Sequence, residues 1–281
     1  MKRRPAPRSV IVVSDTHCSC RMGLYPDHSL TLDGGVSAGP SPLQQKMWRL
    51  WQEFWTDWVP AATKGEPYIV VHNGDAIDGV HHGSKTQVSQ NLADQQMIAL
   101  ECLRPVTERA EVYYHIRGTE AHVGQSGEHE ENLARALGAK PDSDGHSARW
   151  ELWLDLHGHL IHLTHHVGVS GSSSYESTAP FKEMVEGYVD AGRWDRKPPQ
   201  VIVRSHRHRH IEVRTPSRDG HSIVTVTPGW QLKTPFVYRM AGARQSQPQV
   251  GGILIRVGDR MLYTDSKVWS LEPPQTEAYH D

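Results

Sequence analysis

The part of the sequence that best indicates the fold is Ser9-Val10-Ile11-Val12-Val13-Ser14-Asp15-Thr16-His17. Its β-branched run is typical of a buried strand, and a carboxylate and an imidazole follow that run at once. Residues i and i+2 of an extended chain project to the same side, so we expect Asp15 and His17 to face one site. Carboxylates and imidazoles bind divalent transition metals, and the stretch therefore predicts half of a metal site at the end of a strand.

Four further apolar runs end abruptly in polar residues. We predict buried strands at Tyr68–His72, Glu111–Ile116, His159–Thr164 and Val201–Ser205. Amphipathic helical patterns lie between these runs. The alternation predicts α/β architecture with a mostly parallel central sheet.

Prolines and glycines bound the helical patterns. The first pattern, with aromatic residues from Met47 to Trp58, is expected to stop at Pro60. The second, from Val88 to Leu103, is expected to end before Pro105. The two remaining patterns precede glycines suited to C-terminal caps and cover Glu130–Leu137 and Phe181–Ala191.

The chain changes character after His210. Short runs around Gly, Pro and Asp turns predict antiparallel strands at Ile211–Thr215, Ser222–Thr227, Gly252–Val257 and Arg260–Thr264. We expect these strands to form a second sheet that packs on the first within one domain. The predicted organisation is a flexible basic arm (1–8), a single domain (9–270) with a loop-helix insertion at about 19–60, and a tail (271–281). Segments 19–42 and 168–177 are expected to be loops.

Composition narrows the class of protein. The 281 residues include 30 Lys and Arg against 32 Asp and Glu, and the net charge of -2 argues against a globally basic nucleic-acid binder. No apolar stretch approaches the roughly 18 residues of a membrane span, so no membrane partner is expected. Three cysteines cannot make a disulfide framework, which favours a reducing, cytoplasmic compartment. The 19 histidines are clustered, and clustered imidazoles favour metal binding.

Polar clusters close three of the other predicted strands. Asp75 follows the second strand and offers two oxygens to two ions. The pair His165-His166 closes the fourth strand, and Ser205-His206-Arg207-His208 closes the fifth. Ligands of open α/β sheets bind at the carboxyl ends of the strands, so we expect these groups to form one site.

The order and spacing of these motifs resemble the calcineurin-like metallophosphoesterase superfamily, which has D-x-H, G-D-x-x-D, G-N-H-D/E, a lone His and G-H-x-H. The match runs from Asp15 to His208. Asp15-Thr16-His17 and Gly74-Asp75-Ala76-Ile77-Asp78 fit fully, while Ser205 replaces the first Gly of the last motif. The resemblance implies an α/β fold with a two-sheet sandwich flanked by helices in four layers, and two divalent ions at the strand ends.

The resemblance also implies the ligands of both ions. The first ion would be bound by Asp15, His17, Asp75 and His208. The second would be bound by Asp75 as a bridge, His206 and His165. His166 is the alternative to His165, which is favoured because strand alternation places it on one face with Leu163. Mn, Fe, Zn and Ni all suit such ligands.

The chain departs from the family at the third motif. Arg117-Gly118-Thr119-Glu120-Ala121-His122 stands where G-N-H-D/E is expected, so an amide oxygen is missing. Either the Thr119 hydroxyl or the Glu120 carboxylate is the candidate replacement ligand. His122 is the candidate general acid, and Arg117 or Arg207 would stabilise charge on the phosphoryl oxygens and contact the substrate.

The function implied is hydrolysis of a phosphomonoester or phosphodiester by a hydroxide that bridges two ions. A local basic rim slightly favours a nucleotide or nucleic-acid substrate, and consists of Arg204, Arg207, Arg209 and Arg214. The alternative function is a noncatalytic metal-binding scaffold of the same fold with a degenerate third motif. The sequence leaves the oligomeric state, the substrate and the metal open.

Overall fold

A computed structural model describes residues 5–81, 83–124, 126–168, 173–218, 220–239, 247–259, 261–270 and 277–278. Half of the predicted arm, most of the predicted tail, and residues 169–172 of the second predicted loop lie outside the described residues. Arg8, the last residue of the arm, is docked, because its guanidinium donates to the carbonyl oxygens of Val257 and Gly258 at 3.0 and 2.8 Å. Within the described ranges, no helix has the length and apolar character needed to cross a membrane.

The described residues form thirteen strands and seven α-helices. The strands are β1 (Ser9–Val13), β2 (Leu30–Thr31), β3 (Ser37–Ala38), β4 (Tyr68–Asn73), β5 (Val112–Ile116), β6 (Ala148–Arg149), β7 (Leu152–Leu156), β8 (His159–Leu163), β9 (Val201–Arg204), β10 (Ile211–Ser217), β11 (Gly220–Val226), β12 (Gln249–Val257) and β13 (Leu262–Ser270). The helices are α1 (Pro42–Glu53), α2 (Val59–Thr63), α3 (Leu92–Thr107), α4 (Glu120–Val123), α5 (Glu128–Ala136), α6 (Thr178–Arg193) and α7 (Pro235–Arg239).

Two mixed sheets carry the fold. The first has the order β13-β12-β1-β4-β5-β6, in which β1, β4, β5 and β6 are parallel and β12 pairs antiparallel with both β1 and β13. The second has the order β10-β11-β9-β8-β7, with β8, β9 and β11 parallel. The segment after β1 adds the short hairpin of β2 and β3 before α1.

The side chains of β1 show how the layers pack. Val10 and Val12 belong to the apolar cluster that fills the space between the two sheets. Ile11 and Val13 point the other way and pack beneath the helices. Helix α6 covers the outer face of the second sheet, where Met184 joins an apolar cluster with strand residues. The sequence of helix, sheet, sheet and helix confirms the predicted four-layer sandwich.

The strands after His210 are divided differently from the prediction. We expected them to form a second sheet of their own, and this is wrong: β10 and β11 extend the second sheet beside β9, while β12 and β13 complete the first beside β1. Strands β8 and β9, expected in the central sheet, also lie in the second. Periodicity reports which residues are buried but not which strand lies alongside. The last strand also runs further than predicted, to Ser270.

Neither predicted proline stop ends its helix. Pro60 lies in the first turn of α2, where its missing N–H needs no partner, and a π-helical turn (Phe54–Trp58) joins α2 to α1. Pro105 lies inside α3, which continues to Thr107. Val106 and Thr107 are buried, so packing retains the last turn despite the lost hydrogen bond. Helices α5 and α6 begin two and three residues earlier than predicted.

Candidate metal centre

The loops that carry the motifs are joined by backbone hydrogen bonds. After β1 and β4, the amide of Asp15 donates to the carbonyl oxygen of Gly74 at 2.9 Å. The amide of His17 donates to the carbonyl oxygen of Asp75 at 3.1 Å. In the second sheet the Ser205 amide donates to the carbonyl oxygen of His165 at 2.8 Å. Each pair of motifs is thus fixed in register at one edge of its sheet.

Asn73 connects the two sheets at this edge. Its Nδ2 donates to Ser205 Oγ at 2.6 Å and to the carbonyl oxygen of Thr164 at 3.0 Å. Its own carbonyl oxygen accepts from His165 Nδ1 at 2.6 Å. The motif residues of both sheets therefore face a single site.

Three overlapping groups of side chains present metal-binding atoms to one another. In each group the ligand atoms all lie within 4.8 Å of one another. The first group is Asp15, Asp75, His165 and His206, the second is Asp15, His17 and His208, and the third is His17, Asp78 and His122. The first two groups together hold six of the predicted imidazole and carboxylate ligands. The residue shared by these two groups is Asp15, whereas the resemblance implies Asp75 as the bridge.

The separations match those of ligands around one small cation. His165 Nε2 lies 3.1 Å from Asp75 Oδ2, and His208 Nε2 lies 3.3 Å from Asp15 Oδ1. The Nε2 atoms of His17 and His208 are 3.1 Å apart. Metal–ligand bonds of about 2.1 Å at tetrahedral angles place ligand atoms about 3.4 Å apart. The side chains therefore fit divalent ions with little rearrangement.

Buried polar atoms support this fit. Among the described residues, Asp15 Oδ1 and His165 Nε2 are buried and have no hydrogen-bond partner. Such atoms are costly unless something satisfies them. A divalent cation satisfies a carboxylate oxygen and an imidazole lone pair at once, which makes this donor set suitable for transition metals.

The backbone of the candidate ligands is left-handed, which we did not predict. Asp15, His17, Asp75, His206 and His208 have φ values of 53°, 39°, 56°, 74° and 50°. The prediction that Asp15 and His17 face one site is correct, but the extended-chain reason for it is wrong. Non-glycine residues in this region are uncommon and cluster at functional sites.

The charges of the site are strongly coupled. Burial lowers the pKa of His165, but the carboxylates of Asp75 and Asp15 outweigh burial and raise it to about 10. Burial raises the pKa of Asp75, yet His165 and His122 lower it well below its usual range. Burial and the neighbouring His122 lower the pKa of His17 to about 4. The site therefore holds anionic carboxylates beside imidazoles, the arrangement that a cation stabilises.

Asp78 is a site residue to which we assigned no role. Its Oδ1 lies 3.5 Å from His17 Nδ1, and its two oxygens accept from Gln87 Nε2 at 2.7 Å and from Gln231 Nε2 at 3.2 Å. The carbonyl oxygen of Asp78 also accepts from His122 Nδ1 at 2.6 Å. Asp78 orients imidazoles as the outer partners of metal-binding histidines do. Its place as the second Asp of the motif Gly74-Asp75-Ala76-Ile77-Asp78 is the sequence feature that could have identified it as a site residue.

The third motif brings Thr119, but not Glu120, to the site. The Thr119 amide donates to Asp75 Oδ1 at 2.7 Å and its hydroxyl donates to the same oxygen at 3.1 Å. Glu120 is exposed and belongs to none of the three groups of described ligands, so the prediction that it replaces the amide is not supported. His122 Nε2 lies 3.9 Å from Asp75 Oδ2, and its ring contacts that of His17.

Gly118 is required for this contact between the third motif and Asp75. A Cβ atom at Gly118 would lie 2.0 Å from Asp75 Oδ1 and 2.3 Å from the Asp75 amide nitrogen. Any side chain here would force the two loops apart. The Gly that precedes the missing amide thus retains its steric role.

The guanidinium groups of the two arginines predicted to stabilise charge both donate to other groups of the protein. Arg117 is buried and its guanidinium donates to the carbonyl oxygens of Ala148 and Ser126 and to Glu131 Oε2, at 2.9, 3.0 and 3.2 Å. These donors fix β6 to α5, and the contacts do not support the predicted catalytic role, which stays a prediction. Arg207 donates to the carbonyl oxygen of Gly168 in the loop beside the site.

Of the neighbouring histidines, the structure favours His165 over His166. His165 is buried among the ligands, whereas His166 is exposed. His81 packs against His122 with ring centroids 4.5 Å apart, and His82 lies outside the described residues.

Comparisons with known proteins find weak structural similarity at low sequence identity. No family model and no curated protein matches the sequence. The chain is similar to Vps29 of Entamoeba histolytica at 11% identity, covering 93% of this chain and 99% of that one with a TM-score of 0.38. It is similar to a predicted phosphoesterase of Streptococcus pneumoniae at 11% identity, covering 94% and 99% with a TM-score of 0.36. The two-sheet architecture and the motif residues at one edge agree with the predicted resemblance to the calcineurin-like metallophosphoesterases.

Proposed function

We propose that the chain is a metal-dependent phosphoesterase that hydrolyses a phosphomonoester or phosphodiester with two divalent ions. The observation that carries the proposal is the pair of overlapping ligand groups at one sheet edge, which share Asp15. Asp15, His17 and His208 would hold one ion, and Asp75, His165 and His206 would hold the other. Two such ions would lower the pKa of a shared water and orient the phosphate ester for in-line attack.

The chain's own residues position these ligands and handle a proton. His165 and His122 each donate Nδ1–H to a backbone carbonyl oxygen, that of Asn73 and that of Asp78, at 2.6 Å. These contacts turn both Nε2 atoms toward Asp75. We propose that a protonated His122 Nε2 delivers its proton to the leaving alkoxide.

The basic rim gives little support for a nucleotide preference. Arg204 pairs with Glu183 at 2.8 Å and Arg209 with Glu176 at 3.0 Å. Arg214 pairs with Glu212. Three of the four arginines are thus balanced by carboxylates, which weakens the attraction for a polyanion. The substrate class therefore rests on phosphate-ester chemistry, and nucleotides stay one candidate among several.

A noncatalytic scaffold is the second candidate function. It is favoured by one observation: the Thr119 hydroxyl donates to Asp75, whereas an amide oxygen at that position would offer a lone pair to the second ion. A weakly held second ion would leave metal binding without turnover.

Metal analysis combined with hydrolysis of mono-aryl and bis-aryl phosphates separates the two functions. We expect close to two transition-metal ions per chain after reconstitution, together with metal-dependent release of the aryl alcohol. Ions without turnover support the scaffold, and protein that takes up no ion contradicts both functions.

The three cysteines are free and buried. We propose a reducing compartment such as the cytoplasm, where thiols persist.

A further inference from the structure

Two neighbouring glutamates of α5 each bind a pair of backbone amides. Glu131 accepts from the amides of Ser147 and Ala148, both at 2.9 Å, and pairs with Arg117. Glu130 is fully buried and accepts from the amide of Ala76 at 3.1 Å and the amide of Gly118 at 2.6 Å. Both carboxylates accept two backbone N–H groups, but at different positions: Glu131 fixes β6, and Glu130 joins two motif loops.

The two amides bound by Glu130 flank the metal ligands. Ala76 directly follows Asp75, and Gly118 directly precedes Thr119. One carboxylate therefore holds the loop after β4 against the loop after β5, close behind Asp75. The Gly118 backbone packs so closely on Asp75 that no Cβ fits between them.

The effect on Asp75 is direct. With Gly118 held, the Thr119 amide and hydroxyl reach Asp75 Oδ1 at 2.7 and 3.1 Å. The hydroxyl also lies 3.3 Å from Oδ2, which faces His165 Nε2 at 3.1 Å. Releasing Gly118 would free the carboxylate to rotate, and its orientation toward an ion would be lost.

A buried polar layer supports Glu130 from behind. His115 Nε2 lies 3.5 Å from Glu130 Oε1, and His115 Nδ1 is 2.6 Å from the Tyr113 hydroxyl. When that hydroxyl donates to Nδ1, the proton of His115 is on Nε2, the ring nitrogen that lies near the carboxylate. Glu130 is held in position chiefly by its hydrogen bonds from the Ala76 and Gly118 amides, as a residue must be that orients another ligand.

We propose that Glu130 is a positioning residue of the metal centre, which acts through the Ala76 and Gly118 amides to orient Asp75 toward its ion. The inference rests on the proposed metal site. It goes beyond the family motifs, because Glu130 lies in none of them. No sequence pattern marks the residue, since its partners are backbone amides of two distant loops.

The test compares Glu130→Gln with Glu131→Gln, a matched control one residue away on the same helix. Each variant keeps the side-chain size and replaces one acceptor oxygen by an NH2 group that faces a backbone N–H. Metal-free protein is titrated with Co²⁺, and binding is followed by calorimetry and by the visible spectrum of the ion. Thermal unfolding of the metal-free forms reports the structural cost of each change.

We expect Glu130→Gln to weaken one of the two Co²⁺ sites by about 10-fold to 100-fold and to change its spectrum, as loss of an outer partner does. Glu131→Gln should lower thermal stability while both Co²⁺ affinities and the spectrum stay as in the wild type. Glu130→Asp, which keeps the charge but is too short to span both amides, should behave like Glu130→Gln.

Equal Co²⁺ affinities and spectra in the Glu130 and Glu131 variants would overturn the inference, and so would loss of the fold in both Glu130 variants. The readout separates this inference from the proposed function. Wild-type protein that binds two ions without hydrolysing esters would contradict the function and leave the role of Glu130 intact. Protein that takes up no Co²⁺ would contradict both.

Discussion

The two halves of the candidate metal centre are built differently. In the Asp15 half (Asp15, His17 and His208) the donors crowd together, with the two Nε2 atoms 3.1 Å apart and one of them 3.3 Å from the carboxylate. In the Asp75 half (Asp75, Thr119, His165 and His206) both carboxylate oxygens already accept from Thr119, Oδ1 from the amide and the hydroxyl and Oδ2 from the hydroxyl at 3.3 Å. A hydroxyl that donates takes up a lone pair of the carboxylate, whereas an amide oxygen would add one.

This difference indicates which half of the metal centre is more sensitive to substitution. Each half has three potential ligands of its own, but the departure from the family at the third motif falls in the Asp75 half. The Asp75 half depends on the orientation of one carboxylate, which the third motif and Glu130 maintain. We therefore expect the Asp75 half to hold its ion more weakly and to respond more strongly to substitution.

The largest effect is expected for Asp75→Asn. The variant keeps the shape of the side chain but lacks the anionic charge, so turnover should fall by at least about 1,000-fold, equivalent to several kcal/mol of lost transition-state stabilisation. Elemental analysis should still find the ion of the Asp15 half. Asp27→Asn, at an exposed carboxylate, is the control. Wild-type turnover in Asp75→Asn would show that the Asp75 half takes no part in catalysis.

The next effect concerns His122. If it is the general acid, His122→Ala should slow hydrolysis of an alkyl phosphate by about 100-fold to 10,000-fold, and that of an aryl phosphate with a good leaving group much less. His166→Ala removes an exposed imidazole beside the same site and should change neither rate. Equal losses on both esters would instead indicate that His122 positions Asp75, from which its Nε2 is 3.9 Å away.

Thr119→Asn is expected to reduce the difference in metal affinity between the two halves. An amide oxygen next to Asp75 adds a hard ligand, and the second ion should bind about 10-fold more tightly. Thr119→Ala, which loses the hydroxyl but keeps the backbone amide, serves as the comparison. Calorimetric titration with Mn²⁺ measures both variants. Unchanged binding in Thr119→Asn would mean that the side chain at this position does not reach the ion.

The smallest effect on the centre is expected for Arg117→Met. The change removes three hydrogen bonds of the guanidinium, one buried and two partly buried, and should lower the free energy of unfolding by about 1–3 kcal/mol. Metal content and turnover should stay as in the wild type. Arg135→Met breaks the exposed pair with the same Glu131 and should cost less than about 0.5 kcal/mol in urea unfolding. A loss of turnover without a loss of stability would show that Arg117 is catalytic after all.

The sequence predicted what depends on local pattern. The strand Ser9–Val13 and the motif that follows it were predictable, because burial and ligand chemistry are both visible in neighbouring residues. The partners of β10 and β12 were not, because alternation carries no information about which strand lies alongside. Pro105 was misjudged because the packing of Val106 and Thr107 overrides local preference.

The site residues also divide into those that local sequence predicts and those that only tertiary structure places. His165, His206 and His208 were predictable from their motifs, while Glu130 was not, because its partners are backbone amides that only the folded loops bring together. Arg117 was assigned to catalysis by analogy with its place in the motif. Its contacts with β6 and α5 arise from tertiary structure, which the motif does not encode.

The left-handed backbone of five candidate ligands also constrains how this site can evolve. Asp, Asn, His and Gly tolerate positive φ, whereas β-branched residues do so only at high cost. Mutations that abolish metal binding without unfolding the loops are therefore limited chiefly to Asn and Gly at Asp15 and Asp75. A descendant that lost its ions would keep the loop shape and carry these small residues as a trace of its ancestry.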